Sequence, residues 1–282
     1  YDVKILGFGD HVVDKYEHIK TMYPGGNCVN VDVYAKMFGA KRSAYMGYFG
    51  NDQEAEHVIH TLAETGIETV KCQQLEGENG CARATLVDGD RVFLGSNEGG
   101  IRGEVPFVLD RFDLEYVRQF DLVHSGNYCF TEKELHKIRE AGVLVSFDFS
   151  DDSTEEYYES VAKDVDFAFC SCDGSEEEAR AHLEKIVSYG PKLALASRGA
   201  EGCILYDGTE FYVQKAAPLE KVVDTMGAGD SLISSFLVGY VDRTKKGVVQ
   251  SQAIRESLAE AAAFAAKICG IEGAFGYGKI YE

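Results

Sequence analysis

Short runs rich in Val, Ile and Phe, bounded by glycine, alternate along the chain with longer segments whose apolar residues recur every three or four positions. An apolar run of four to eight residues suits a strand covered on both faces, and the three-to-four spacing suits an amphipathic helix. On that basis residues 3–8 and 43–49 read as strands, and 27–38 and 52–64 as helices. Gly39 and Gly66 stand where those two helices should stop. The pattern resumes with strands at 122–124, 143–147, 167–169 and 193–196, separated by helices at 131–141, 154–162 and 175–189. A hairpin at 203–213 and an apolar helix at 232–241 follow. Strand and helix in regular alternation imply an α/β fold, a mostly parallel central sheet with helices on both faces.

Two stretches break the alternation, at about 12–24 and 80–97, and neither carries a crossover helix. In the second, two strand-like runs flank Asp88-Gly89-Asp90, a tight hairpin signal. They read together as a small β-sheet lid built from two insertions into a single domain spanning 1–282.

Composition adds little to this picture, but charge and cysteines narrow the function. With 28 basic and 47 acidic residues the net charge is -19, and nucleic-acid binding depends on Lys and Arg displacing counterions from phosphates. A nucleic-acid partner is disfavoured, and an anionic substrate has to be held by a local device. The eight cysteines are scattered, and the one close pair, Cys170-Ser171-Cys172, lacks the Cys-x-x-Cys spacing of zinc or redox sites. Reduced thiols, a start without a basic or apolar leader, and no membrane-length apolar run imply a cytoplasmic protein without a membrane partner.

The device an acidic chain needs is present in Asp224-Thr225-Met226-Gly227-Ala228-Gly229-Asp230-Ser231, which runs into the apolar helix. Two glycines at a helix start leave first-turn amides open to an anion, with the helix dipole behind them. Asp230 in that turn suits a base that takes a proton from a hydroxyl while phosphate is transferred to it. On the residues alone, a capping carboxylate remains the alternative.

The full run resembles the C-terminal signature of the ribokinase (PfkB) family of carbohydrate kinases, and the likeness extends over nearly the whole chain. It implies a ribokinase-like fold, Asp230 as base, and an anion cradle of Gly227, Ala228 and Gly229. Gly25-Gly26-Asn27-Cys28-Val29-Asn30 is similar to the first family signature, and Asp14 to the family's sugar-binding Asp. Asp14, Gly25, Gly26 and Asn30 are thereby expected to bind the sugar. Ser197-Arg198-Gly199-Ala200-Glu201-Gly202 resembles the family's nucleotide-binding turn, so Ser197, Gly199, Gly202 and Thr225 join Gly227 and Gly229 around ATP. The family's Asn-x-x-Glu segment is not reproduced near Cys170 to Glu178; the resemblance then implies Glu176 or Glu177 on the metal side, with Asp148 as a further carboxylate near the Mg²⁺. A monovalent cation such as K⁺ is implied near Asp224 and the Gly273-Ala274 turn. A homodimer through the lid is a further family expectation.

Runs such as Phe147-Asp148-Phe149-Ser150-Asp151 and Asp166-Phe167-Ala168-Phe169 are similar to those of family members acting on amino acid–sugar conjugates. That likeness implies a small-molecule sugar-amine substrate and transfer to the 6-hydroxyl of fructoselysine or a related fructosamine. A fructokinase or other sugar kinase is the alternative, and a non-catalytic sugar-binding regulator a further one. Charged residues of the lid region, Lys15, Glu17, Arg83, Glu98 and Arg102, are candidates for reading the amino-acid part. Gly273 to Lys279 imitates a P-loop, but Ile280 replaces Ser/Thr and no helix has room to follow. Gly7-Phe8-Gly9 fails as a dinucleotide fingerprint because Val12 holds the third glycine position. His57 and His60 read as surface histidines.

Overall fold

The computed structural model of the chain describes residues 1–88 and 90–282, the Asp90 side chain excepted. Strand β1 (Lys4–Gly9) leads into a hairpin of β2 (Val12–Tyr16) and β3 (Thr21–Gly25), then α1 (Asn27–Phe38), β4 (Arg42–Phe49), α2 (Gln53–Glu64) and the short β5 (Gln73–Gln74). A second hairpin pairs β6 (Cys81–Val87) with β7 (Asp90–Ser96); Gly89 of the hairpin signal lies outside the described residues. Alternation then returns with α3 (Arg111–Val117), β8 (Leu122–Gly126), α4 (Leu135–Glu140), β9 (Leu144–Asp148), α5 (Glu155–Val161), β10 (Phe167–Ser171), α6 (Glu176–Ser188) and β11 (Leu193–Ser197). The antiparallel pair β12 (Cys203–Tyr206) and β13 (Phe211–Gln214), helices α7 (Ala228–Lys245) and α8 (Gln250–Ile268), and β14 (Lys279–Ile280) complete it.

One sheet of nine strands has the order β13-β12-β11-β10-β9-β8-β1-β4-β5 and is antiparallel only at β11-β12 and β12-β13. A second sheet has the order β14-β3-β2-β6-β7. The central strands of the nine-stranded sheet are mostly apolar and buried on both faces, which lets helices cover both sides. In β10, Phe167 and Phe169 pack toward Phe236 and Leu237 of α7, while Ala168 and Cys170 pack toward Leu183 of α6 and Tyr158 of α5. Each fully buried large side chain contributes about 1.5–3 kcal/mol relative to exposure. That two-sided burial sets the register and lines up the carboxyl ends of β9, β10 and β11 along one edge.

The expected elements appear, with local differences. Helix α1 has the bounds expected of it, and Gly39 ends it at φ 121. The helix read at 131–141 starts as a 3₁₀ turn, Glu132–Glu134, before α4. The helix read at 232–241 runs from Ala228 to Lys245, so the glycine run is its first turn. Strand β14, two residues long, joins the smaller sheet beside β3. No helix among the described residues is long and apolar enough to cross a membrane.

Candidate active site

A cleft of about 250 Å³ opens at the carboxyl ends of β9, β10 and β11 against the first turn of α7. Asp148, Ser150, Asp151, Ser171, Ser197, Gly229 and Asp230 line it, over an apolar floor that includes Phe169, Leu195 and Ile233. Ligands of open α/β sheets bind at this edge of the strands.

The turn before α7 explains its glycines differently. Gly227 caps the helix at φ 79, and a Cβ there would collide with the Tyr34 hydroxyl. Gly229 has an ordinary backbone, and a Cβ on it would meet no heavy atom within 4 Å. Nothing in the protein itself demands glycine at 229, and its bareness leaves room in the cleft. No side chain among the described residues caps α7, so the first-turn amides around Gly229 and Asp230 retain hydrogen-bonding capacity for an anion.

Asp230 is held at both oxygens. Asn27 Nδ2 donates to Asp230 Oδ1 at 2.7 Å and Asn30 Nδ2 to Oδ2 at 2.8 Å. Asn27 Nδ2 also donates to Asp148 Oδ2 at 3.0 Å, so one amide bridges two carboxylates. The Asn27 side-chain carbonyl accepts from His124 Nε2 at 2.7 Å, and His124 Nδ1 lies 2.9 Å from the hydroxyl of Ser146. His124 and Ser146 are fully buried, and burial holds the imidazole pKa down at about 3. A neutral imidazole with Nε2–H facing the Asn27 carbonyl must accept from Ser146 at Nδ1. The chain Ser146 to His124 to Asn27 therefore fixes the amide with its N–H groups toward the acids.

Burial raises the Asp230 pKa to about 6 against the two Asn donors, which favour its charged form. Asp148 is raised to about 7, first by burial and then by the charge of Asp230. Asp10, buried just after β1, goes the other way. Burial works to raise it, but the charge of Arg102 and the Cys28 amide outweigh that and its pKa is lowered.

On the far side of Asp230 stands Asp14 of β2, its pKa raised by burial to about 7 despite the opposing charge of Arg91. A Cβ on Gly25 would lie 2.6 Å from Asp14 Oδ2 and 3.6 Å from Asn30 Oδ1, so glycine keeps this corner open. Asn30 Oδ1 is buried with no hydrogen-bond partner among the described residues, a state that costs on the order of 1–3 kcal/mol unless a donor arrives. Gly26, at φ 95, turns β3 into α1 where any Cβ would strike the backbone of His11.

Other expected positions divide. Ser197 and Gly229 line the cleft, whereas Gly199 and Gly202 shape the turn beyond β11. Thr225 lies in a separate cleft with Asp224 and Tyr16. Glu177 is exposed in the first turn of α6 and lines neither cleft, while Asp148 lies 3.0 Å from the amide that holds Asp230. The charged residues expected to read the amino-acid part mostly pair with protein: Lys15 with Glu54, Arg83 with Glu17, and buried Arg102 with the carbonyls of His11 and Tyr128. Asp224 receives Arg91 Nη1, the Tyr16 hydroxyl and the amides of Met226 and Gly273. Four donors fill the roughly four lone-pair positions of a carboxylate, so the Asp224 side chain is taken up by the protein in this arrangement.

Asn27, His124 and Ser146 were not among the residues expected to form the site. Asn27 sat within the signature, and an amide at a glycine-led helix start was its one visible signal; His124 and Ser146 looked like ordinary strand residues.

A family model for pfkB family carbohydrate kinases matches residues 8–275. The chain is 38% identical to fructosamine kinase FrlD of Bacillus subtilis, over 99% of this chain and 95% of that protein. It is 32% identical to fructoselysine 6-kinase of Escherichia coli, over 90% and 94%. Among solved structures, Arabidopsis thaliana ribokinase complexed with ribose and ATP superposes with a TM-score of 0.79 at 19% identity, covering 97% of this chain and 95% of that one. Giardia lamblia ribokinase matches with a TM-score of 0.79 at 18% identity, over 98% and 94%. The glycine-led first turn of α7, the carboxylate it carries and the match along 8–275 agree, and the chain belongs to the pfkB family of carbohydrate kinases.

Proposed function

We propose that the chain transfers the γ-phosphate of ATP to the 6-hydroxyl of a fructosamine such as fructoselysine, with Asp230 as the base. The observation that carries this reading is Asn30, which donates to Asp230 on one side and leaves a buried carbonyl oxygen unpaired beside Asp14 on the other. A sugar hydroxyl donating to that oxygen, with neighbours on Asp14, brings the acceptor hydroxyl to Asp230. Asp230 accepts its proton as the new O–P bond forms and the bond between the γ-phosphorus and the β–γ bridging oxygen breaks, releasing ADP. The first-turn amides of α7 favour the charge on the transferred oxygens.

The cleft lining has carboxylates at 148, 151 and 230 and no Lys or Arg among the described residues. A polyphosphate enters such a lining only with a cation, and the oxygen donors suit Mg²⁺. Asp148, beside the Asn27 amide, is the residue assigned to hold it, directly or through water. When bound, the metal neutralises charge on the phosphates. The residues at about 12–24 and 80–97 act as a lid over the sugar. A homodimer through this lid belongs to the same reading, supported by exposed Leu86, Val87, Val92, Phe93 and Leu94 on its hairpin.

A panel of acceptors with Mg·ATP tests the substrate. Fructoselysine turns over with kcat/KM at least about tenfold above fructose and ribose, one missing set of contacts being worth about that factor or more. Equal or better use of fructose makes the chain a fructokinase and overturns the fructosamine reading.

A further inference from the structure

Cys170 and Cys172 alternate with Ser171 at the end of β10, so both sulfurs fall on the face covered by α6. Their Sγ atoms are 4.0 Å apart. From α6, His182 brings a ring nitrogen to the pair, and the three potential ligand atoms all lie within 4.8 Å of one another. Spacing along the chain argued against a metal site here; the fold supplies the third ligand from a different element.

The geometry matches a soft cation. Zinc–sulfur bonds of about 2.3 Å at the tetrahedral angle set two sulfurs about 3.8 Å apart, within tenths of an ångström of the pair as it stands. Cys172 and His182 line a second cleft of about 360 Å³, whereas Cys170 lines the active-site cleft, and Ser150, Asp151 and Ser171 line both. The cluster thus stands on the wall between two solvent-reaching clefts, and Asp173 and Glu178 line the second one within the same neighbourhood. The other sulfur cluster among the described residues, Asp10 with Cys28 and Cys129, is fully buried, and Asp10 there already accepts from the amides of Asn27 and Cys28.

We propose that Cys170, Cys172 and His182 form a binding site for one soft divalent cation of the Zn²⁺ class, distinct from the hard-cation site at Asp148. Two thiolates and an imidazole leave the fourth position to water or to a carboxylate of the second cleft. The thiol protons are released on binding, and His182 exchanges its 3.2 Å contact with the Tyr158 hydroxyl for the metal if Nε2 is the ligand.

The reduced full chain is titrated with Cd²⁺ in a phosphine reductant and excess Mg²⁺, following the thiolate-to-metal absorption, and Zn²⁺ is measured by competition with a chromogenic chelator. The expected result is saturation at one equivalent in the presence of Mg²⁺, weakened at least about tenfold in Cys172→Ser and in His182→Gln, both of which keep Mg·ATP turnover. Melting curves check that each variant is folded, and His182→Gln alone serves if Cys172→Ser is not. No thiolate band in the wild type, or unchanged affinity in the folded variants, overturns the proposal and leaves the cysteines as packing groups.

Discussion

Asn27 and Asp230 meet at 2.7 Å across 203 positions of sequence, and the same Asn27 nitrogen reaches Asp148 at 3.0 Å. Hydrogen bonds to the ionised form lower a carboxyl pKa, and the bonds from Asn27 and Asn30 act in that direction on Asp230 against burial. Asn27→Ala therefore moves the acid limb of the kcat/KM profile upward from near pH 6 by on the order of half to one unit. At pH 6 the rate falls several-fold, and near pH 8 most of it returns. A pH–rate series on the two proteins measures this.

His124 acts through Asn27 and has no contact with the cleft. His124→Phe removes the Nε2–H that orients the amide and strands the Ser146 hydroxyl, which costs about 1–3 kcal/mol of stability. Beyond that loss, it shifts the acid limb in the same direction as Asn27→Ala, and the double variant shifts it no further than the larger single one. A purely structural histidine lowers the melting temperature and leaves the limb where it was.

Gly25→Ala sets a methyl group where Asp14 Oδ2 would be 2.6 Å away. The KM for the sugar rises about tenfold or more while the KM for ATP changes little, a split that steady-state kinetics with each substrate varied resolves.

The fold was legible where local chemistry and periodicity agree. Helix α1 could be bounded from its apolar period and Gly39, and the glycines at 227 and 229 could be singled out together as a bare helix start, whereas the φ of 79 that favours glycine at 227 shows only in the fold. Asp14 and Asn30 carried the resemblance but not the reason they face each other, which is the open corner at Gly25. What stayed hidden was assembled across the chain. His124 and Asn27 are 97 positions apart, and nothing in the residues around 124 marks a hydrogen-bond relay. The partners of the lysine and arginines named as candidates for the substrate's amino-acid part were hidden for the same reason, since Glu54, Glu17 and the His11 carbonyl pair with Lys15, Arg83 and Arg102. Strand β14 has two residues, too few for any period to show.

Asp32 of α1 is fully buried, with neither carboxyl oxygen bonded to another side chain, and burial raises its pKa well above the usual value. Its contribution to stability is fully present below the unfolded-state pKa near 4 and is lost as pH rises through the raised folded value. Asp32→Asn is consequently more stable than the parent at pH 8, and the difference shrinks toward pH 4. Thermal melts at the two pH values check the sign.

Asp230 is the base on which phosphoryl transfer depends, and Asp230→Asn tests that role most directly because the amide keeps the size of the group and one acceptor oxygen. Single-turnover phosphorylation of fructoselysine with Mg·ATP, alongside the sugar dissociation constant, separates base from binder. The predicted result is a rate lower by about 10²–10⁴-fold with sugar affinity within a few-fold of the parent. A rate near the parent's with normal sugar affinity would contradict the assignment of Asp230 as the base.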